Sequence, residues 1–200
     1  MSIERTQTAS RVLMIRPTGF GRDDEAAQTN TFMQTPTETV EYVRERAMAE
    51  FDALSTALLD AGVDVLVIED ELQLPDSVFP NNWISYHQPI EQAGVVNPMI
   101  VTYPMLTESR RKERRAEILD SVAKFTDSSP DHLDLSVLES EDEILEGTGS
   151  LVLDRVNNIA YACLSGRQSQ RLMHGPMRRD TKPFGFIAPI LTAIRCITPM

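Results

Sequence analysis

The segment AMAEFDALSTALLDAGVDVLVI, residues 47–68, joins a helical pattern to a strand pattern. Its apolar residues first recur every three or four positions, at Ala47, Phe51, Leu54, Leu58 and Ala61. That spacing places one apolar stripe on a helix and predicts that the stripe packs against a core. Gly62 is a typical helix stop, and Val63–Ile68 has the composition of an apolar strand.

A second apolar strand precedes this helix. Val12–Ile15 (VLMI) is short and ends at Arg16-Pro17, and the segment from Thr18 to Thr37 is rich in Gly, Asp, Asn and Thr. We interpret that segment as a long loop, of the kind that is often functional in a compact domain. The order strand, loop, helix, strand predicts an α/β fold.

The rest of the chain repeats the order strand, strand, helix, strand without repeating its sequence. In Phe79–Tyr86 the two asparagines precede a short predicted strand. The other predicted strands are Met99–Tyr103, Leu133–Leu138, Ser150–Leu153 and Ile159–Leu164, and the last two form a hairpin. Ser109 is the expected cap of one helix, RRKERRAEILDSVAKF, which buries Ile118, Val122 and Phe125 behind a solvated charged face. The order suggests a repeat architecture of α/β units.

The composition is that of an ordinary globular protein, with 42% hydrophobic and 24% charged residues among 200. No apolar run is long enough to span a bilayer, and Met1–Ser10 lacks the apolar stretch of a signal peptide, so we expect a cytoplasmic protein. The net charge of −11 argues against nucleic acid and an anionic membrane as partners. Cys163 and Cys196 have neither metal-ligand nor disulfide spacing, and we expect no metal or organic cofactor.

The charge and the patterning change after residue 165. Residues 166–200 hold six Lys or Arg and one acid, a net charge of +5, whereas residues 1–165 carry −16. The tail also takes four of the twelve prolines and shows no sustained period of two or of 3.6 residues. We therefore divide the chain into a domain at 11–165 and an atypical tail at 166–200.

Four polar clusters are candidates for function. They are Arg16-Pro17 with Asn30, Asn81-Asn82, Glu146 in EGTGS, and Arg155 with Arg167. Taken singly, each has a plain structural explanation, since Asn pairs and Glu-Gly turns commonly serve turn geometry alone.

Taken together, these clusters belong to a set of motifs that resembles one enzyme family. The motifs are MIRPTGFG, Asn30-x-Phe32, FPNNWISYH, VTYPM, the RRKERR helix, EGTGSLVLDR and IAYACLS, all within residues 11–165. They resemble the amidinotransferase-like family of the arginine deiminase superfamily, whose members modify guanidine groups, and most of all its citrulline-utilisation hydrolases. FPNNW followed by EGTGS is the specific part of the match.

The resemblance implies a pentein-type α/β propeller of five pseudo-repeated ββαβ units, incomplete at the carboxyl end of this chain. It also implies a cysteine-dependent hydrolase that acts on the C–N bond of a guanidino or ureido amino acid through a covalent thiouronium-like intermediate, with a histidine that moves protons. The implied partner is that small amino acid. An amidinotransferase, which passes the group to an amine, and a non-catalytic amino-acid-binding remnant remain alternatives.

The resemblance also implies roles for single residues. Glu146 is the carboxylate that clamps the substrate nitrogens, as suits a planar group rich in N–H donors. Asn82, with Asn81, stands where related enzymes carry an acidic group. Because an amide donates as well as accepts, this favours a ureido oxygen, and citrulline-like over arginine-like substrates. Arg16 and Asn30 either line the substrate channel or brace the first strand and loop.

Two motifs of the family are not found in the sequence. Its catalytic histidine lies in a Tyr-His-Thr-Asn segment after IAYACLS, and its nucleophilic cysteine lies further on; neither segment occurs in the 200 residues. Cys196 and His174 lack the family context. We therefore expect this chain to be inactive as written.

The tail itself suggests a cause. If the codons for Cys196–Met200 are read one base earlier, they permit Val-Tyr-His-Thr-Asn at every position. The same shift makes Thr192–Ile194 compatible with a turn, and Asp180–Phe186 with a Tyr-Glu-Ala-Val-Arg-Phe strand. We therefore expect a frameshift near Ser165–Arg167, with out-of-frame translation from there to Met200.

Overall fold

The computed structural model describes residues 7–28, 37–89, 96–157, 159–163 and 193–197. Within these ranges the strands are β1 (Arg11–Arg16), β2 (Asp64–Glu69), β3 (Ile84–His87), β4 (Met99–Thr102), β5 (Asp131–Asp134), β6 (Leu151–Asp154), β7 (Ile159–Cys163) and β8 (Ala193–Ile197). The helices are α1 (Val40–Asp60), α2 (Glu108–Arg111), α3 (Ala116–Phe125) and α4 (Gly147–Ser150). Short 3₁₀ turns cover Ala26–Gln28, Pro80–Asn82 and Ser136–Glu141. The residues form two compact units: the first unit is Ala9–Pro80 with Thr107–Asp127, and the second is Met1–Thr8 with Asn81–Leu106 and Ser128–Met200.

The first unit is built on the predicted α/β pattern. β1 and β2 pair in parallel, from Arg11 opposite Asp64 to Arg16 opposite Glu69, and α1 connects them. Thr39 caps α1, since its hydroxyl accepts a hydrogen bond from the Tyr42 backbone N–H. Gly62 follows the helix with a φ of 81°, a left-handed conformation that favours glycine.

The predicted apolar stripe of α1 is only partly buried. Phe51 is buried, and Ala47 and Leu58 are half-buried, but Leu54 and Ala61 are exposed. The predicted apolar stripe is therefore wider than the face of α1 that is buried. A sheet of two strands, β1 and β2, covers only a narrow band of a helix lying on it.

The single helix predicted from Ser109 to Phe125 is wrong. It is divided into α2 and α3, and Ser109 lies inside α2 rather than capping it. Glu25 accepts hydrogen bonds from the backbone N–H groups of Glu108 and Ser109, each at 2.9 Å, while Asp23 accepts one from the Ser109 hydroxyl at 2.6 Å. Carboxylates from a distant loop thus satisfy the amino end of α2, a cap that local sequence does not show.

The charged face of this region is also not fully solvated, contrary to the prediction. Arg110 and Glu113 are 5% and 4% exposed, and their side chains lie 2.6 Å apart. Asp76 lies 3.7 Å from the same guanidinium, and the Phe79 carbonyl accepts a hydrogen bond from it. The pair is buried because partners from the loop before β3 surround it, and those contacts are long-range in sequence.

The second unit contains the repeated unit that the element order suggested. β3 and β4 are antiparallel and β4 and β5 are parallel; in the other sheet β6 and β7 are antiparallel and β7 and β8 are parallel. Both sheets therefore share one strand order and one pattern of directions. Their core consists of Met99, Val101, Tyr103, Leu135, Leu145, Leu151 and Ala160.

Two predicted elements of this unit change type, and one strand was not predicted. The predicted strand Leu133–Leu138 is wrong beyond Asp134, because β5 ends there and Ser136–Glu141 forms a 3₁₀ turn. The predicted turn at Glu146–Gly149 is one turn of helix, α4. β8 forms at 193–197, in the tail where no strand pattern was visible, and it pairs with the available edge of β7.

No helix in the described part of the chain is long and apolar enough to cross a membrane.

Candidate functional site

The asparagine pair lies on a 3₁₀ turn immediately before β3. Trp83 follows the turn and is 1% exposed, and its carbonyl accepts a hydrogen bond from the Tyr103 N–H at 2.9 Å. Asn81 is exposed and Asn82 is half-buried. The buried indole and this backbone bond fix the turn to the end of β4, and they leave the amide side chains at its surface.

The acidic turn carries Glu146 at the amino end of α4. Its side chain is buried, at 2% exposure, and its Oε1 accepts a hydrogen bond from the Leu106 N–H at 3.3 Å. Next to it, the Leu145 N–H donates to the Pro104 carbonyl at 3.3 Å. A buried carboxylate requires compensation by hydrogen bonds or by a cation, and one oxygen of Glu146 already receives a backbone bond.

The two turns are in direct contact. The Asn81 side-chain amide donates a hydrogen bond to the Thr148 hydroxyl, which in turn donates to the Asn81 carbonyl at 3.3 Å. A Cβ on Gly147 would lie 2.5 Å from that carbonyl oxygen, so this position requires glycine. The structure therefore brings together Asn81, Asn82 and Glu146, as the motif grouping predicted.

Gly149 lies against both the carboxylate of Glu146 and the amide of Asn82. A Cβ added there would lie 2.9 Å from Glu146 Oε2 and 3.5 Å from Asn82 Cγ. The Asn82 Oδ1 accepts a hydrogen bond from Asn81 at 3.2 Å and, at 3.4 Å, shares the single hydroxyl hydrogen of Thr148 with the Asn81 carbonyl. Within the described residues, the oxygen of the Asn82 amide is thus engaged, and its two Nδ2 hydrogens are the donors it offers to a ligand.

A chain of hydrogen-bonded hydroxyl and imidazole groups, with Tyr103 and His87 buried and Ser85 half-buried, lies next to the acidic turn. The Tyr103 hydroxyl is 2.8 Å from Ser85 Oγ, and Ser85 Oγ is 2.7 Å from His87 Nε2. Burial raises the pKa of Tyr103, against smaller opposing effects of the Ser85 hydrogen bond and the charge of Arg155. Sequence reasoning missed this chain; the alternation of Ser85 and His87 on one face of β3 was its only local signal.

The structure describes two of the remaining candidates, Arg16 and Arg155. Arg16, in the first unit, forms ion pairs with Asp52 at 2.7 Å and Glu69 at 3.5 Å, contacts that join β1 to α1 and β2 and fit the bracing role. Arg155 donates to the Tyr86 carbonyl at 3.1 Å. Asn30 and Arg167 lie outside the described residues. Among the described residues, no group of three or more His, Cys, Asp or Glu is arranged to hold a metal ion.

Several solved structures are similar to this chain in fold. A dimethylarginine dimethylaminohydrolase, crystallised as an adduct with 4-chloro-2-hydroxymethylpyridine, has 14% identity and a TM-score of 0.57 over 96% of this chain and 61% of its own. The substrate-bound amino-terminal domain of ArgZ, an arginine dihydrolase from cyanobacteria, has 17% identity and a TM-score of 0.59 over 95% and 58%. A cysteine-to-serine mutant of the dimethylarginine dimethylaminohydrolase from Pseudomonas aeruginosa, complexed with citrulline, has 14% identity and a TM-score of 0.55. The match covers 95% of this chain and 61% of the enzyme.

These similarities confirm the predicted fold class, the pentein-type α/β fold of guanidine-modifying enzymes. The chain spans about three-fifths of the length of the first two structures it matches. No curated protein matches the sequence significantly. A family model described as "N,N dimethylarginine dimethylhydrolase, eukaryotic" matches residues 16–182. With most of its length matched by that model, the chain belongs to the dimethylarginine dimethylhydrolase family, within the superfamily of guanidine-modifying enzymes.

Proposed function

We propose that this chain holds the ureido or guanidino end of an amino acid between Asn82 and Glu146, as the substrate-binding part of a cysteine-dependent C–N hydrolase. The observation that carries the proposal is the close approach of the Glu146 carboxylate and the Asn82 amide, which both lie beside the position that a Cβ on Gly149 would occupy. One group accepts hydrogen bonds and the other is oriented to donate them.

This arrangement favours citrulline-like over arginine-like ligands. A guanidinium presents only N–H donors, which suit Glu146 but meet the Nδ2 donors of Asn82 unfavourably. A ureido group presents an oxygen for Asn82 and an N–H group for Glu146, so both partners are satisfied. Leaving a polar group unpaired in a buried site costs binding free energy. Because arginine would leave the Asn82 donors unpaired, this cost favours citrulline.

The family supports this class of substrate. The Pseudomonas aeruginosa enzyme was crystallised with citrulline, and the ArgZ domain was crystallised with its substrate. In the proposed reaction of the complete site, a cysteine thiolate forms a C–S bond to the central carbon, and the C–N bond breaks as a histidine protonates the leaving nitrogen. Water then adds to the same carbon and gives a proton to the histidine, the C–S bond breaks, and the thiolate is restored.

We expect this chain to bind without turnover, since its sequence contains no Tyr-His-Thr-Asn segment. Removing the acid–base partner of a nucleophile abolishes most of the rate, while the binding groups act independently of it. A sensitive test is the release of ammonia and ornithine from citrulline and of ammonia from arginine. Release above the rate of an enzyme-free control contradicts the expected inactivity, but it leaves the binding proposal standing.

Calorimetric titration tests the binding proposal directly. Citrulline, arginine and ornithine share the amino-acid end and differ in the terminal group, so ornithine measures what the terminal group contributes. We expect saturable binding of citrulline, weaker binding of arginine and the weakest binding of ornithine. Citrulline binding that is absent, or no tighter than ornithine binding, contradicts the proposal.

Two variants and one control test, by the same titration, whether Glu146 and Asn82 bind the ligand. Glu146→Gln should weaken citrulline binding about ten-fold or more, because the amide replaces a charged acceptor. Asn82→Asp should shift the preference towards arginine, because the donor becomes an acceptor of the guanidinium N–H groups. Glu141→Gln makes the same chemical change at an exposed residue and should leave all three affinities unchanged.

A further inference from the structure

We infer that Tyr103 is a positioning residue for this site, because its ring and its hydrogen-bonded hydroxyl hold the asparagine turn and the acidic turn at the separation that a ligand requires. The inference rests on the proposed function of Asn82 and Glu146. It goes beyond it by assigning a role to a buried residue that does not touch the ligand.

The ring of Tyr103 lies against the acidic turn. A Cβ on Gly147, the residue after Glu146, would lie 3.2 Å from Tyr103 Cδ2. The same residue is bound to the asparagine turn through its backbone, since the Tyr103 N–H donates to the Trp83 carbonyl. Tyr103 thus contacts both turns, one through its side chain and the other through its main chain.

The segment that follows Tyr103 holds the acid itself. The Pro104 carbonyl accepts from the Leu145 N–H, and the Leu106 N–H donates to Glu146 Oε1, both at 3.3 Å. A shift of Tyr103 therefore moves the donor to Glu146 as well as the ring beneath Gly147. Geometry at a binding site depends on such supporting contacts, and small displacements weaken recognition.

The hydroxyl fixes where the ring lies. It is bonded to Ser85, which is bonded to His87, and Tyr103 and His87 are 4% and 8% exposed. Ser85 and His87 are two residues apart on β3, so both point to one face of the strand. Hydrogen-bonded groups in such a chain polarise one another, so removing one member weakens the hydrogen bonds of the others.

The test is to remove the hydroxyl and keep the ring. Tyr103→Phe should raise the Kd for citrulline about five-fold, the effect of one lost hydrogen bond acting through geometry. The Kd for ornithine should stay the same, because ornithine lacks the ureido group that the two turns grip. Ser85→Ala removes the partner of the hydroxyl and should have the same selective effect, so it decides the question if Tyr103→Phe fails to fold.

Tyr86→Phe is the matched control. Tyr86 lies between Ser85 and His87 in sequence, and its hydroxyl bonds Ser128 at 3.3 Å on another part of the second unit. This variant should leave the ratio of citrulline to ornithine affinity unchanged. If Tyr103→Phe and Ser85→Ala keep that ratio, or lower both affinities equally while lowering the melting temperature, Tyr103 has only a structural role and the inference is wrong.

The titration separates this inference from the function on which it rests. If the unaltered chain itself does not prefer citrulline to ornithine, the proposed function fails and the inference fails with it. If the unaltered chain has that preference and the two variants keep it, only the role of Tyr103 is overturned.

Discussion

The amide of Asn82 and the carboxylate of Glu146 both lie beside the position that a side chain on Gly149 would occupy. A methyl group at that position would lie 2.9 Å from Glu146 Oε2 and 3.5 Å from Asn82 Cγ. The first distance is shorter than a carbon normally makes with a non-bonded atom, so the side chain at this position controls whether the two groups can share a ligand.

Gly149→Ala should therefore weaken citrulline binding about ten-fold or more, because its methyl group pushes Glu146 Oε2 out of place. Gly149 lies within α4 and its φ is not in the left-handed region, so alanine suits its backbone. We expect the free energy of unfolding to fall as well, by about 1–3 kcal/mol, because the displaced carboxylate is buried and accepts a hydrogen bond from the Leu106 N–H. Calorimetry gives the affinity, and urea denaturation gives the stability.

Gly62→Ala is the matched control for that variant. Gly62 has a φ of 81°, and a Cβ there would have no neighbour within 4 Å. Alanine should lower the free energy of unfolding by about 1 kcal/mol through backbone strain and leave binding unchanged. Comparing the two variants distinguishes the steric effect of a methyl group beside Glu146 from the effect of backbone strain. Equal loss of binding in both variants contradicts the placement of the ligand between Asn82 and Glu146.

Arg110→Ala should destabilise the chain by about 3–5 kcal/mol, because it leaves buried carboxylates without their cation. The guanidinium lies 2.6 Å from Glu113 and 3.7 Å from Asp76. Arg46→Ala is the comparison, since Arg46 forms an exposed pair with Glu50 at 2.8 Å and should cost no more than about 0.5 kcal/mol. If the urea midpoint falls equally in both variants, burial does not make the loss of the Arg110 ion pairs more destabilising than the loss of an exposed pair.

The stability should depend on pH through Glu113. Burial raises the pKa of Glu113 from 4.5 to about 7; Arg110 opposes this shift, while Asp76 and Asp23 add to it. Between these two values the folded chain holds a proton that the unfolded chain has lost. The contribution of Glu113 to stability therefore falls as the pH rises, by roughly 3 kcal/mol in all, and levels off above pH 7.

Glu113→Gln isolates this contribution, because glutamine does not titrate. We expect the free energy of unfolding of the unaltered chain, minus that of the variant, to fall between pH 5 and pH 7 and then to stay constant. The other acids titrate in both proteins and cancel in the difference. A difference that rises with pH means that Arg110 lowers the pKa of Glu113, and it overturns the prediction.

The coding DNA tests the frameshift directly. The minus-one frame should remain open from the codons of Ser165–Arg167 and encode Val-Tyr-His-Thr-Asn across those of Cys196–Met200. The family match extends to residue 182, and β8 lies at 193–197, so the DNA is needed to distinguish an in-frame tail from an out-of-frame one. A stop codon in that frame before the histidine codon means that no frameshift occurred.

Much of the local structure was predictable because it depends on local patterns. The helical period around Phe51 and the apolar runs Val12–Ile15 and Val63–Ile68 are sufficient to predict β1, α1 and β2. The hairpin of β6 and β7 follows from two short strands and the turn between them. The motif grouping also predicted that the Asn81-Asn82 turn and Glu146 act at one place, and the structure brings them together.

Contacts between distant segments could not be predicted in this way. Nothing near Ser109 shows that Glu25 and Asp23 cap α2, and nothing in RRKERR shows that Arg110 and Glu113 are buried. An alternating or helical pattern states which residues share a face, but burial depends on which other segment covers that face.

The sequence by itself determined the α/β class and the family, because periodicity and motif order are properties of the chain alone. Only the tertiary structure decided that Glu146 Oε2 and Asn82 lie beside the same glycine, Gly149, and that Tyr103 contacts both turns. The contact between the two turns joins residues more than sixty positions apart, such as Asn81 and Thr148, which meet only once the strands have paired.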